Sequence, residues 1–178
     1  MRDQGGSMLA RFFCAISVAY MLAACGSASV SMAPAVVQSG HPVKVIAFAS
    51  GGGVLADAVA VELANRGFTV VDPGSTSGLI ARMGLTEFEV SMPIGLARLK
   101  EQGIDAYLTI RSAGGSEGSP ASASARITST HNGQVLGGLT WQNGWGGQEG
   151  SPADRVMRSG LTQAASQIAE ALVTRIPR

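Results

Sequence analysis

The stretch from residue 43 to residue 71 most narrows what this chain can fold into. Residues 43–49 form a short apolar, β-branched run, which predicts a buried strand. Gly51-Gly52-Gly53 breaks that run. Leu55, Val59 and Leu63 then recur every four residues, with Asp57, Glu62 and Arg66 off the stripe, so an amphipathic helix follows. Gly67 stands where a helix end wants glycine, and residues 68–71 predict a second strand. Strand, helix and strand in close succession open an α/β fold.

The remainder of the chain extends that pattern. Asp72-Pro73-Gly74 predicts a turn, and residues 75–83 a short helix ending at Gly84. Ser91 ahead of Pro93 predicts another helix start, with Leu96, Leu99 and Gly103 fitting about three turns. Residues 104–112 alternate as a third strand, placing Ala106, Leu108 and Ile110 on one face. Residues 121–130 and 134–142 predict a hairpin joined through His131-Asn132-Gly133. Ser151-Pro152-Ala153-Asp154 begins a long closing helix with Met157, Leu161, Ala165, Ile168, Leu172 and Ile176 along one face. The order predicts a single-domain α/β sandwich on a mixed sheet of about five strands with three to four helices.

Both cysteines, Cys14 and Cys25, precede this region, so an apolar core without disulfides must hold residues 43–178. Beyond Cys25 eleven basic residues balance eleven acidic ones, so no charge excess steers the chain to nucleic acid. Ahead of Cys25 the charges are Arg2, Asp3 and Arg11, followed by an apolar run over residues 12–24 that is short for a membrane span. This is the layout of a secretory signal, with Met8 as good a start as Met1. Leu22-Ala23-Ala24-Cys25 resembles a bacterial lipobox, which implies cleavage before Cys25 and acylation of that cysteine. Three segments are therefore expected: a signal peptide at 1–24, a lipidated Cys25 with a flexible tether at 25–42, and an α/β periplasmic domain at 43–178.

Two motifs suggest chemistry. Gly51-x-Gly53-x-x-Ala56 follows a strand and opens a helix, and Asp72 ends the next strand. That is formally a dinucleotide fingerprint, with Gly51 for the tight turn, Gly53 for close approach of pyrophosphate, Ala56 for helix packing and Asp72 for the ribose hydroxyls. Against it stand the export signal, a length short of six parallel strands, and the hairpin where such a sheet would continue. Gly114-x-Ser116-x-Gly118 formally matches a nucleophile elbow, but loop and strand follow it rather than a helix. His41 and His131, the only histidines, sit in no metal-ligand spacing. Trp141, ending a strand, and Trp145, between two glycines, are candidate partner contacts beside a packing role.

Four short segments carry a family resemblance: Val43-Lys-Val-Ile-Ala-Phe, Val59-Ala-Val-Glu-Leu-Ala-Asn-Arg-Gly-Phe-Thr-Val-Val-Asp, Gln102-Gly-Ile-Asp-Ala-Tyr-Leu-Thr-Ile and Asn132-Gly-Gln-Val-Leu. Together they resemble the periplasmic α/β modules of the TolB N-terminal domain, CsgG and LpoB. The resemblance implies a TolB-N-like fold and a non-enzymatic accessory, scaffold or activator of envelope machinery, and it supplies no catalytic residues; on the readings above no cofactor and no metal are expected. It leaves the protein partner unspecified and self-association open. Gly26 after the cysteine, in place of Asp, resembles the outer-membrane sorting choice of such lipoproteins. The alternative expectation is a Rossmann-like oxidoreductase built on Gly51, Gly53, Ala56 and Asp72.

Overall fold

The structure, a computed structural model, describes residues 26–33, 41–115, 119–148 and 150–178. The chain divides into two compact units, Ser29–Asn143 with Ser159–Arg178, and Met1–Ala28 with Gly144–Arg158.

The larger unit is built on one six-stranded mixed sheet. Its strands are β1 (Ser29–Met32), β2 (Val45–Phe48), β3 (Thr69–Val71), β4 (Ala106–Ala113), β5 (Ser122–Ser129) and β6 (Val135–Gln142), in the order β1-β6-β5-β4-β2-β3. β2 runs parallel to β3 and β4, while β4, β5, β6 and β1 pair antiparallel. The helices of this unit are α1 (Gly53–Asn65), α2 (Pro73–Arg82), α3 (Glu87–Val90), α4 (Pro93–Glu101) and α6 (Leu161–Val173); α5 (Pro152–Met157) belongs to the smaller unit.

The α/β class and the mixed sheet agree with expectation, and the sheet has one strand more. Ser29–Met32, within the expected tether 25–42, is β1 rather than coil: Val30 stands opposite Trp141 and Met32 opposite Leu139. Its backbone finds partners on the free edge of β6, and β1 becomes the edge strand at that end of the sheet. Residues 34–40 of the expected tether lie outside the described residues.

Local chemistry sets the helix ends. Arg66 caps α1, and Gly67 follows at φ +91°, a conformation that favours glycine. Asp72-Pro73-Gly74 is not a separate turn. Asp72 caps α2, accepting from the Ser75 amide at 3.0 Å, and Pro73 occupies the first turn. α3 was not anticipated; a reciprocal capping box between Thr86 and Glu89 starts it. The expected long closing helix is two helices. Asn143 accepts from the Ser159 amide at 2.7 Å and donates to the Ser159 carbonyl at 3.0 Å, which draws Ser159 out of helical geometry between α5 and α6.

Both faces of the parallel half are covered. Ala47, Ala49 and Tyr107 pack against Ile80, Val90, Leu96, Leu99 and Ile104. Strand alternation sends Ile46, Phe48, Leu108 and Ile110 to the opposite face, where α1 and α6 pack together with Leu55, Val59, Leu63, Ile168 and Leu172 buried. Arg66 of α1 pairs with Glu62 and donates to the Ser166 hydroxyl of α6 at 3.0 Å. Beyond α3 and α4 the first face is polar and open, with Arg111, Ser124, Arg126, Thr140 and Gln142 exposed.

Asp105 clamps the start of β2 onto β4. One carboxylate oxygen accepts from the Lys44 and Val45 amides, each at 2.9 Å. Burial pushes its pKa up, but these two bonds, with His131 nearby, prevail and hold it below the usual carboxylate range. A carboxyl with a lowered folded pKa contributes stability above its unfolded value and loses it as pH falls through the folded one. Asp105→Asn should therefore cost about 1–3 kcal/mol near neutral pH and flatten the acid limb of stability below about pH 4. Urea titrations at a series of pH values measure both.

In the smaller unit, Ser151 caps α5 by accepting from the Asp154 amide, and buried Asp154 accepts from Arg158 Nε at 2.7 Å and the Gly150 amide at 3.0 Å. The Trp145 amide donates to the Gly26 carbonyl at 2.8 Å.

Candidate functional site

A cleft of about 570 Å³ opens in the larger unit where β2 and β4 end. β2 delivers Ala49, Ser50 and Gly51 to it, β4 delivers Tyr107, Thr109 and Arg111, β5 delivers Arg126, and α3 walls it with Glu87 and Phe88. Its position follows from topology. β2 and β4 are parallel neighbours, and β2 stops level with Leu108 while β4 runs on to Ala113, so the cleft opens beside that overhang of β4.

Tyr107 donates its hydroxyl to Glu87 at 3.0 Å. Burial, then the charge of Glu87 and this hydrogen bond, push the phenol pKa up, so Tyr107 remains a protonated donor. The Ser77 hydroxyl approaches the other Glu87 oxygen at 3.5 Å. Glu87 is thus tied to neutral donors. Phe88 is 71% exposed beside it.

The residues singled out from sequence fall in separate places. Cys25, and Ser116 and Gly118 of the formal nucleophile elbow, lie outside the described residues. Trp141 is 0% exposed, and its indole donates to Gln167 at 2.7 Å; it is a core residue of β6 and has no surface to offer a partner. Trp145 is 59% exposed. His41 and His131 stack with ring centroids 4.5 Å apart, and His131 Nε2 lies 3.5 Å from Asp105. Among the described residues no group of three or more His, Cys, Asp or Glu could hold a metal ion.

The fingerprint residues are used by the fold. A Cβ on Gly52 would lie 2.5 Å from the Ala56 Cβ and 3.1 Å from the Ile110 carbonyl, so this turn is pressed onto the neighbouring strand β4. Gly51 and Gly53 take positive φ, at 83° and 57°, and their open surroundings show that backbone conformation selects them here. Asp72 spends both oxygens on Ser75, accepting from its amide at 3.0 Å and its hydroxyl at 2.6 Å. These bonds lower its pKa and tie the carboxylate to the start of α2.

Arg111 and Arg126 were not singled out as site residues. The outward register of the alternating segment Ser122-Ala-Ser-Ala-Arg126 was a readable signal for one of them.

No family model and no curated protein matches the chain. Solved structures that resemble it include the PelC dodecamer from Paraburkholderia phytofirmans, 17% identical, covering 85% of this chain and 99% of that one with a TM-score of 0.48. TolB from Acinetobacter baumannii is 17% identical, covers 84% of this chain and 31% of that one, and has a TM-score of 0.43. The LpoB C-terminal domain from Salmonella enterica is 16% identical, covers 57% and 84%, and has a TM-score of 0.42. TolB and LpoB are two of the modules the sequence resembles.

Proposed function

We propose that this chain is an envelope lipoprotein, cleaved before Cys25, acylated there and held at the periplasmic face of the outer membrane as a non-enzymatic accessory, scaffold or activator. The observation that carries the reading is Leu22-Ala23-Ala24-Cys25 directly behind an apolar run. Among the described residues no helix is long and apolar enough to cross a membrane. Attachment in this reading rests on acyl chains, each buried CH2 contributing about 0.8 kcal/mol.

β1 shortens the tether. A coil over residues 26–42 would reach about 20–25 Å, but Ser29 is already paired to Gln142. Only residues 26–28 separate Cys25 from β1, so Cys25 lies within about 14 Å of Ser29 along the chain. The sheet edge would then work close to the bilayer. Trp145 serves in this reading as an aromatic contact for the protein partner. The oxidoreductase alternative has less support, since Asp72 is engaged by Ser75 and Gly52 packs on Ile110.

Separation of inner and outer membranes from a Gram-negative host tests the reading. The full chain should sediment with the outer membrane, and Cys25→Ser should be missing from that fraction. Equal distribution of the two proteins would refute it.

A further inference from the structure

We infer that the cleft where β2 and β4 end is a binding site for a small oxyanion, a carboxylate or phosphate group, held by Arg111 and Arg126. The hairpin register brings these residues together. Thr109 stands opposite Arg126 and Arg111 opposite Ser124, so the two arginines are diagonal neighbours on one sheet face, within reach of one another. Both are exposed and line the same cleft. Among the described residues neither side chain has a hydrogen bond or ion pair. Two guanidinium groups on neighbouring positions of one face repel, and among the described residues no carboxylate pairs with either. The carboxylate of the lining, Glu87, is held by the Tyr107 hydroxyl. A bound anion would relieve the repulsion, and guanidinium forks match the planar or tetrahedral geometry of carboxylate and phosphate oxygens.

Other features of the cleft suit the same ligand. Ser50 and Thr109 place hydroxyl donors in the lining. The Ser50–Gly51 turn leads directly into α1, a helix of 13 residues whose N-terminus has no side-chain cap. The volume, about 570 Å³, falls within the range of small-molecule sites. Phe88 on the rim would cover an apolar body attached to the anionic group. The carboxyl ends of parallel strands, here β2 and β4, are the end at which open α/β sheets bind ligands. The inference uses residues remote in sequence from Cys25 and does not depend on acylation.

Calorimetric titration of the full chain with inorganic phosphate, and separately with succinate, at ionic strength held constant with sodium chloride, tests it. Saturable binding of at least one anion is expected, and which one binds identifies the group. Arg111→Ala and Arg126→Ala should each weaken binding about tenfold or more. Both side chains are exposed, so these variants should keep the wild-type circular dichroism spectrum and melting temperature. Arg82→Ala, on α2, removes the same charge elsewhere and should leave binding unchanged. The inference is overturned if neither anion saturates by about 10 mM. It also fails if the two cleft variants bind as the wild type does, or if Arg82→Ala weakens binding as much as they do.

Discussion

Trp141→Ala is expected to destabilise the larger unit by about 3–5 kcal/mol, which consumes much of the stability of a domain this size. Trp141 is the largest fully buried side chain, and its register neighbours are small: Ala123 on β5 and Val30 on β1. The indole fills the space those residues leave. The loss also strips Gln167 of the donor that its side-chain oxygen accepts. Trp141→Phe separates the two contributions, keeping much of the volume and losing the hydrogen bond, at about 1–3 kcal/mol. The neighbouring tryptophan behaves differently. Trp145→Ala, at an exposed position, should stay within about 0.5 kcal/mol of wild type. Urea denaturation followed by circular dichroism measures all three.

Gly95→Ala should also destabilise, by about 1–3 kcal/mol, although alanine is normally the better helix residue. A Cβ there would lie 2.3 Å from the Glu89 carbonyl oxygen and 2.4 Å from the Val90 Cα. Those are backbone atoms, so the strain cannot be relieved by turning a side chain; α3 must move. Because α3 carries Glu87 and Phe88, the same substitution should disturb the cleft and weaken the Tyr107–Glu87 hydrogen bond. Gly78→Ala is the control. Its Cβ would meet only Arg82 Nη1 at 3.8 Å, and the change should stabilise α2 by about 0.5–1 kcal/mol. Opposite signs at two helical glycines, read from midpoint shifts in urea, would establish backbone-to-backbone packing at the α3–α4 corner.

The parts of the fold legible in the sequence are those specified by neighbours along the chain. The Leu55, Val59 and Leu63 stripe with Gly67 behind it describes α1, and Asn132-Gly133 describes the hairpin. The parts that were missed depend on distant partners. Ser29–Met32 is a strand because β6 presents an edge to it. The break between α5 and α6 is made by Asn143, distant from Ser159 in sequence. α3 is different: Thr86 and Glu89 form a local capping box, so its signal was present in a segment too short to show periodicity. The candidate cleft was the least legible feature, because Arg111 and Arg126 meet only through the β4–β5 register. The fingerprint glycines were visible, but not that Gly52 packs against Ile110 or that Asp72 caps α2.

The central proposal, an acylated Cys25, is tested most directly at that residue. Cells expressing the full chain are grown with a radiolabelled fatty acid, and the purified protein is examined by autoradiography and by mass spectrometry of its N-terminal peptide. The account expects label on the wild type, none on Cys25→Ser, and a mature N-terminus at Cys25 carrying acyl mass. An unlabelled chain that retains residues 1–24 would contradict it, and the site around Gly51 and Asp72 would then have to be reconsidered without the export argument against it.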